Sequence, residues 1–136
     1  MADNRIKSLL SFENETVNYF LSKLEGVNRD RYFADRDIRT ILDKSINDIT
    51  LCLVDLSEEC LKRNKRNIPD TYRDTILACH EFIGDIVLKI APLVKHRNET
   101  IHQYLKVNWQ NITIVKRKIS DIKEFVEDMR KRLIIS

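Results

Sequence analysis

Apolar residues recur every three or four positions through almost the whole chain, and that period limits its fold more than any other feature. Ile6, Leu9, Leu10, Val17, Phe20, Leu21 and Leu24 lie on one stripe, and Gly26 follows where a helix would stop. Ile38, Ile41, Leu42, Ile46, Ile49, Cys52, Leu53, Leu56 and Cys60 make a second stripe, which predicts a long helix ending near Asn64. Only 2 glycines and 2 prolines leave little punctuation for the many turns of an all-β fold. An all-α chain is expected.

The segment NIPDTYRD, residues 67–74, breaks the pattern. Pro69 forces its predecessor out of the helical region, and Asp70 is placed to cap a short helix from about Thr71 to His80. A further stripe, Ile83, Ile86, Val87, Ile90 and Val94, contains Pro92, so a kink or break is expected between Leu88 and Pro92. Ile112, Val115, Ile119, Ile122, Val126, Met129 and Leu133 predict one long final helix with a strip narrow enough for bundle packing. The reading is an up-and-down four-helix bundle with a short additional helix, forming a single domain over residues 1–136.

Several function classes recede on composition. No stretch reaches the ~20 apolar residues of a membrane span, and the first residues, MADNRIKSLLSFENE, lack the apolar core of a signal peptide, so a cytoplasmic protein is expected. Cys52, Cys60 and Cys79 are odd in number, lack CxxC spacing and sit among apolar residues, as reduced core thiols do. His80 lies beside Cys79, but no second ligand pair at zinc spacing accompanies it, so no metal is expected. Residues 89–136 hold 11 Lys/Arg against 5 Asp/Glu, and residues 1–88 hold 13 against 16, so the net +3 divides into +6 and −3. The basic clusters KRNKR (62–66), KRK (116–118) and RKR (130–132) suit either a phosphate backbone or a solvated helix face. His80, His96, Tyr19, Tyr32 and Tyr72 read as structural or half-buried packing groups.

The chemistry gathers in RNETIHQY, residues 97–104. On a helix Asn98 and His102 are neighbours at i and i+4, whereas His102 and Tyr104 cannot share a face, so the chain should leave the helix between them. Cleavage of RNA without a metal needs a group to move the 2′-hydroxyl proton, a cation for the phosphate and a proton for the leaving oxygen. Histidine titrates near neutrality and can manage the proton steps, while arginine offers a permanent cationic fork that matches phosphate oxygens. Asparagine can orient either one. The same three groups at a helix C-terminus can also simply satisfy carbonyls and complement the helix dipole.

The pattern Arg97-Asn98-x-x-x-His102-x-Tyr104 resembles the R-x4-H-x-Y signature of the HEPN superfamily, in particular the HepT-like ribonuclease toxins. Ile68-Pro69-Asp70-Thr71-Tyr72 is similar to the I-P-x-x-Y turn ahead of that motif, and Asp55 to a supporting acidic position on the long second helix. Lys95 stands where a small residue commonly precedes the motif. The resemblance implies an all-helical homodimer that cuts RNA without a metal or cofactor, with Arg97 and His102 catalytic and Asn98 supporting them. It also implies a minimal nucleotidyltransferase antitoxin that neutralises the toxin by transferring AMP to Tyr104. Its rival is an inactive helical module of the same superfamily that binds a nucleotide or the nucleotidyltransferase.

Overall fold

A computed structural model describes residues 2–101 and 105–134. Its elements are α1 (Ala2–Leu24), α2 (Arg29–Ala34), α3 (Arg36–Arg63), α4 (Tyr72–Leu77), α5 (His80–Ile83), α6 (Ile86–Ile90), α7 (Leu93–Thr100), α8 (Leu105–Arg117) and α9 (Ile119–Leu133). Every regular element among the described residues is helical.

Side-chain contacts fix the direction of each rod against the central α3. Arg5 Nε meets Glu59 Oε1 at 2.7 Å, and Cys52 Sγ donates to Leu9 O at 3.2 Å, so α1 runs antiparallel to α3. Cys79 Sγ donates to Ser57 O near one end of α3, whereas Arg97 Nε donates to Asn47 Oδ1 further back, so the α4–α7 limb also climbs against it. Asn108 contacts Asp43, and Arg63 Nη1 donates to Leu133 O at 2.6 Å, so α8 and α9 run parallel to α3. The bundle is therefore up-and-down. Its core is made largely from the stripes read in the sequence, with Phe20, Ile46, Leu53, Ile90 and Ile122 fully buried, and Phe125, outside those stripes, is fully buried with them. The three cysteines are buried and unpaired.

The expected long rods are more divided than periodicity suggests. Between the first two stripes lies α2, a turn and a half made by side-chain capping: Asn28 Oδ1 accepts from Arg31 N at 2.9 Å, and Asp35 Oδ1 from Ile38 N at 3.1 Å. That insertion buries Tyr32 completely, whereas Tyr19 and Tyr72 stay about half exposed. Thr71, rather than Asp70, caps α4, its Oγ1 accepting from Asp74 N. The short helix expected to reach His80 divides into α4 and α5, and Gly84 at φ 81, ψ −156 then separates α5 from α6 in a region closed to other side chains. Pro92 breaks the next rod where expected, leaving α6 and α7 on either side.

The final rod is two helices instead of one. At Lys118 the backbone N–H reaches both Ile114 O and Val115 O, a local tightening, and Lys118 Nζ donates to Lys89 O at 2.6 Å. The apolar stripe crosses this break without losing phase: Val115 and Ile119 are buried on either side of it.

Candidate functional site

Arg97 occupies the last turn of α7, and three side chains hold it. Its Nε donates to Asn47 Oδ1 of α3 at 2.8 Å, and its Nη1 donates to Asn98 Oδ1 at 3.0 Å. The Tyr72 ring, at the start of α4, lies 5.9 Å from the guanidinium carbon, within cation–π range. The remaining terminal nitrogen, Nη2, makes no hydrogen bond among the described residues. A half-buried cation is thus fixed by two neutral acceptors and makes no ion pair among the described residues. Such a fork suits an anion arriving from outside.

The end of α7 is set from α8. Asn108 Nδ2 donates to Thr100 O at 3.1 Å, and Thr100 Oγ1 donates to Arg97 O at 2.7 Å, which satisfies carbonyls that the helix end would leave open. His96 Nδ1 meets Asn111 Oδ1 at 2.8 Å. Two buried asparagines on α8 therefore grip α7 along one side of its last turns, at His96 and at Thr100 one turn on. With its carbonyl held by Asn108, α7 closes at Thr100, ahead of the exit expected between His102 and Tyr104. His102 and Tyr104 themselves lie outside the described residues.

Two clefts are lined by groups that hold the arginine. One, of about 430 Å³, lies between α3 and the α7–α8 corner; Asn47, the acceptor of Arg97 Nε, lines it together with Arg36, Asp43, Thr100, Ile101 and Asn108. The other, of about 470 Å³, is lined by Tyr72, Arg73, Lys95 and Asn98, so it contains the other two groups that hold Arg97. Arg97 itself contacts lining residues of both, Asn47 in the first and Asn98 and Tyr72 in the second.

Of the residues read from sequence, Arg97 and Asn98 come together directly. Asp55 does not join them. It lies about two turns along α3 from Asn47, where burial raises its carboxyl and the Arg5 charge lowers it. The carboxylate brought to this end is Asp43, which accepts from Tyr32 Oη at 2.7 Å and, at a longer 3.4 Å, from Asn108 Nδ2. Burial lifts its pKa while the two hydrogen bonds and Arg39 hold it down. His80 faces solvent and pairs with Asp85. Among the described residues no three His, Cys, Asp or Glu side chains gather as metal ligands would, and no helix is long and apolar enough to cross a membrane.

Sequence reasoning missed Asn47, Asp43, Asn108 and Asn111. A signal for two of them was present, because Asn108 and Asn111 occupy positions in register with Ile112 and Val115 on a stripe that is otherwise apolar. A polar residue buried at such a position needs a partner.

Residues 5–129 match a protein family described as Ribonuclease HepT-like. No curated protein and no solved structure matches the chain.

Proposed function

The chain belongs to the HepT-like ribonucleases, and on that premise we propose that it is a metal-independent endoribonuclease toxin of a toxin–antitoxin pair. The observation that supports this most is the Arg97 guanidinium, clamped by Asn47 and Asn98 with one terminal nitrogen open among the described residues. Arg97 binds the non-bridging oxygens of the scissile phosphate and steadies the charge that gathers on them. His102 takes the proton of the 2′-hydroxyl, the 2′-oxygen bonds to phosphorus, and the bond to the 5′-oxygen breaks. The departing oxygen needs a proton in return. One subunit offers a single motif histidine, so a second His102 across a two-fold axis supplies it, and the working unit is a homodimer.

Control falls to Tyr104, two residues beyond His102. Transfer of AMP to its hydroxyl by a nucleotidyltransferase antitoxin places an anionic phosphate and a bulky nucleoside beside a site made for phosphates, so charge and volume both oppose RNA.

An RNA cleavage assay in EDTA with wild type, Arg97→Ala and His102→Ala tests the proposal. Cutting should survive chelation and vanish in both variants. Equal cutting by the variants would leave a non-catalytic helical module that binds its nucleotidyltransferase. Mass spectrometry after co-expression with that partner should find AMP on Tyr104 and on no other tyrosine.

A further inference from the structure

The cleft on the Asn47 side of Arg97 has a chemical character of its own. Its floor is rich in acceptors. Asp43 accepts one hydrogen bond on each oxygen, from Tyr32 and from Asn108, and a carboxylate oxygen can accept two. Asn108 is fully buried, and its Oδ1 has no hydrogen-bond partner among the described residues, an uncompensated acceptor that a native fold rarely leaves without a use. The rim is cationic, with Arg36 and Lys44 exposed; Lys44 pairs with Asp48 at 2.9 Å, whereas Arg36 makes no ion pair among the described residues. Ile101 and Leu105, 53% and 39% exposed, give the mouth an apolar lip.

The occupant must match all three features. A divalent cation would meet one carboxylate under a cationic rim, short of the oxygen ligands it needs. An acidic peptide would bring oxygens against an acceptor floor. A nucleotide fits each part: an anionic phosphate for the rim, a flat base for the lip, and N–H groups on the base edge for the Asp43 carboxylate, with the buried Asn108 carbonyl as a further acceptor beneath it. Single-stranded RNA is read in this way, by stacking and by hydrogen bonds to unpaired base edges. At about 430 Å³ the space is within the range of small-molecule sites.

We propose that this cleft is a specificity subsite for the nucleotide adjoining the scissile phosphate, selecting a base with an exocyclic amine (adenine, cytosine or guanine) over uracil. The proposal rests on the ribonuclease reading and deepens it. Uracil offers one N–H between two carbonyl oxygens, and those oxygens would face the Asp43 carboxylate. The other three bases present an amino group, whose two N–H bonds suit adjacent acceptors. Selectivity here comes from rejection as much as attraction.

Titration calorimetry with AMP, CMP, GMP and UMP tests the cleft without relying on catalysis. The three amino-bearing nucleotides should bind wild type at least tenfold more tightly than UMP. Asp43→Asn, which keeps the acceptor for Tyr32 and turns the other oxygen into a donor, should bring UMP within about twofold of the rest. Thr40 is exposed on the same cleft, so Thr40→Trp should weaken all four while leaving the core untouched. Equal binding of the four nucleotides by wild type, or an undiminished preference in folded Asp43→Asn, would overturn the proposal. If Asp43→Asn does not fold, unchanged binding by Thr40→Trp overturns it instead. Cleavage of short RNAs varied at one position beside the cut separates this idea from its premise. Cutting without base preference sinks the subsite alone, whereas selective nucleotide binding without any cutting supports the cleft and sinks the nuclease reading.

Discussion

Asn47 offers the sharpest test of how Arg97 is held. Asn47→Leu removes the acceptor of Arg97 Nε, a 2.8 Å bond from a charged donor, while keeping much of the side-chain volume at a half-buried position of α3. A hydrogen bond to a charged group contributes about 1.5–3 kcal/mol, and at about 1.4 kcal/mol per decade its loss would slow a reaction roughly 10- to 150-fold. Partial exposure of both side chains lets water replace some of the bond, which favours the lower end, near tenfold. The loss should fall on kcat rather than KM, because a guanidinium free to swing still attracts phosphate but no longer meets it in the geometry of the transition state. Asn47→Asp separates position from charge. It keeps the acceptor but pairs the cation internally, so it should raise KM as the field felt by RNA weakens. Single-turnover and steady-state cleavage of one RNA would read both variants, with melting curves to confirm that each folds. Wild-type kcat in Asn47→Leu would refute the claim that this bond positions the arginine.

Other expectations follow from the same structure. Tyr72→Leu removes the ring near Arg97, a contact of about 0.5–1 kcal/mol, and should lower kcat about two- to fivefold, while Tyr72→Phe should restore most of it. Equal loss in both would assign the role to the hydroxyl. Burial, aided by the Asp48 carboxylate, holds the Glu13 carboxyl well above its ordinary 4.5, so the folded chain keeps a proton that the unfolded chain sheds. Wild-type stability should therefore fall relative to Glu13→Gln as pH rises above 4.5, by about 1.4 kcal/mol per unit until the folded-state carboxyl ionises; parallel urea-unfolding curves from pH 4 to 8 would refute this. Lys65 holds φ 56 at the C′ position of α3, where Arg66 N reaches back to Leu61 O, so Lys65→Gly should stabilise the fold by roughly 0.5–1 kcal/mol in the same assay.

The periodic stripes carried most of the fold because burial is a property of whole helical faces. Ile46, Leu53 and Ile122 could be assigned to the core from spacing alone, and all are fully buried. What spacing could not carry was the division of the rods. At Lys118 the stripe keeps its phase through a tightened turn, and α2 depends on single capping oxygens of Asn28 and Asp35 that leave no mark on an apolar pattern. Pro92 was legible because a missing N–H and a locked φ act locally, whatever surrounds them.

The candidate site divides along the same line. Arg97 and Asn98 were legible as chemistry within one short motif, whereas the residues that aim the arginine come from elsewhere: Asn47 lies 50 positions earlier, and Asn108 lies on the next helix. Their cost explains their presence. A buried amide left without partners costs about 1–3 kcal/mol, and Asn108 and Asn111 each keep one buried atom unpartnered among the described residues, so packing alone would favour apolar residues at both positions. What they supply is geometry, because the Thr100 carbonyl and the His96 ring are held where leucines could hold neither. The end of α7 is thus positioned by α3 and α8 more than by its own eight residues. A helix that short is marginal in isolation, so the aim of Arg97 depends on polar misfits in neighbouring apolar faces.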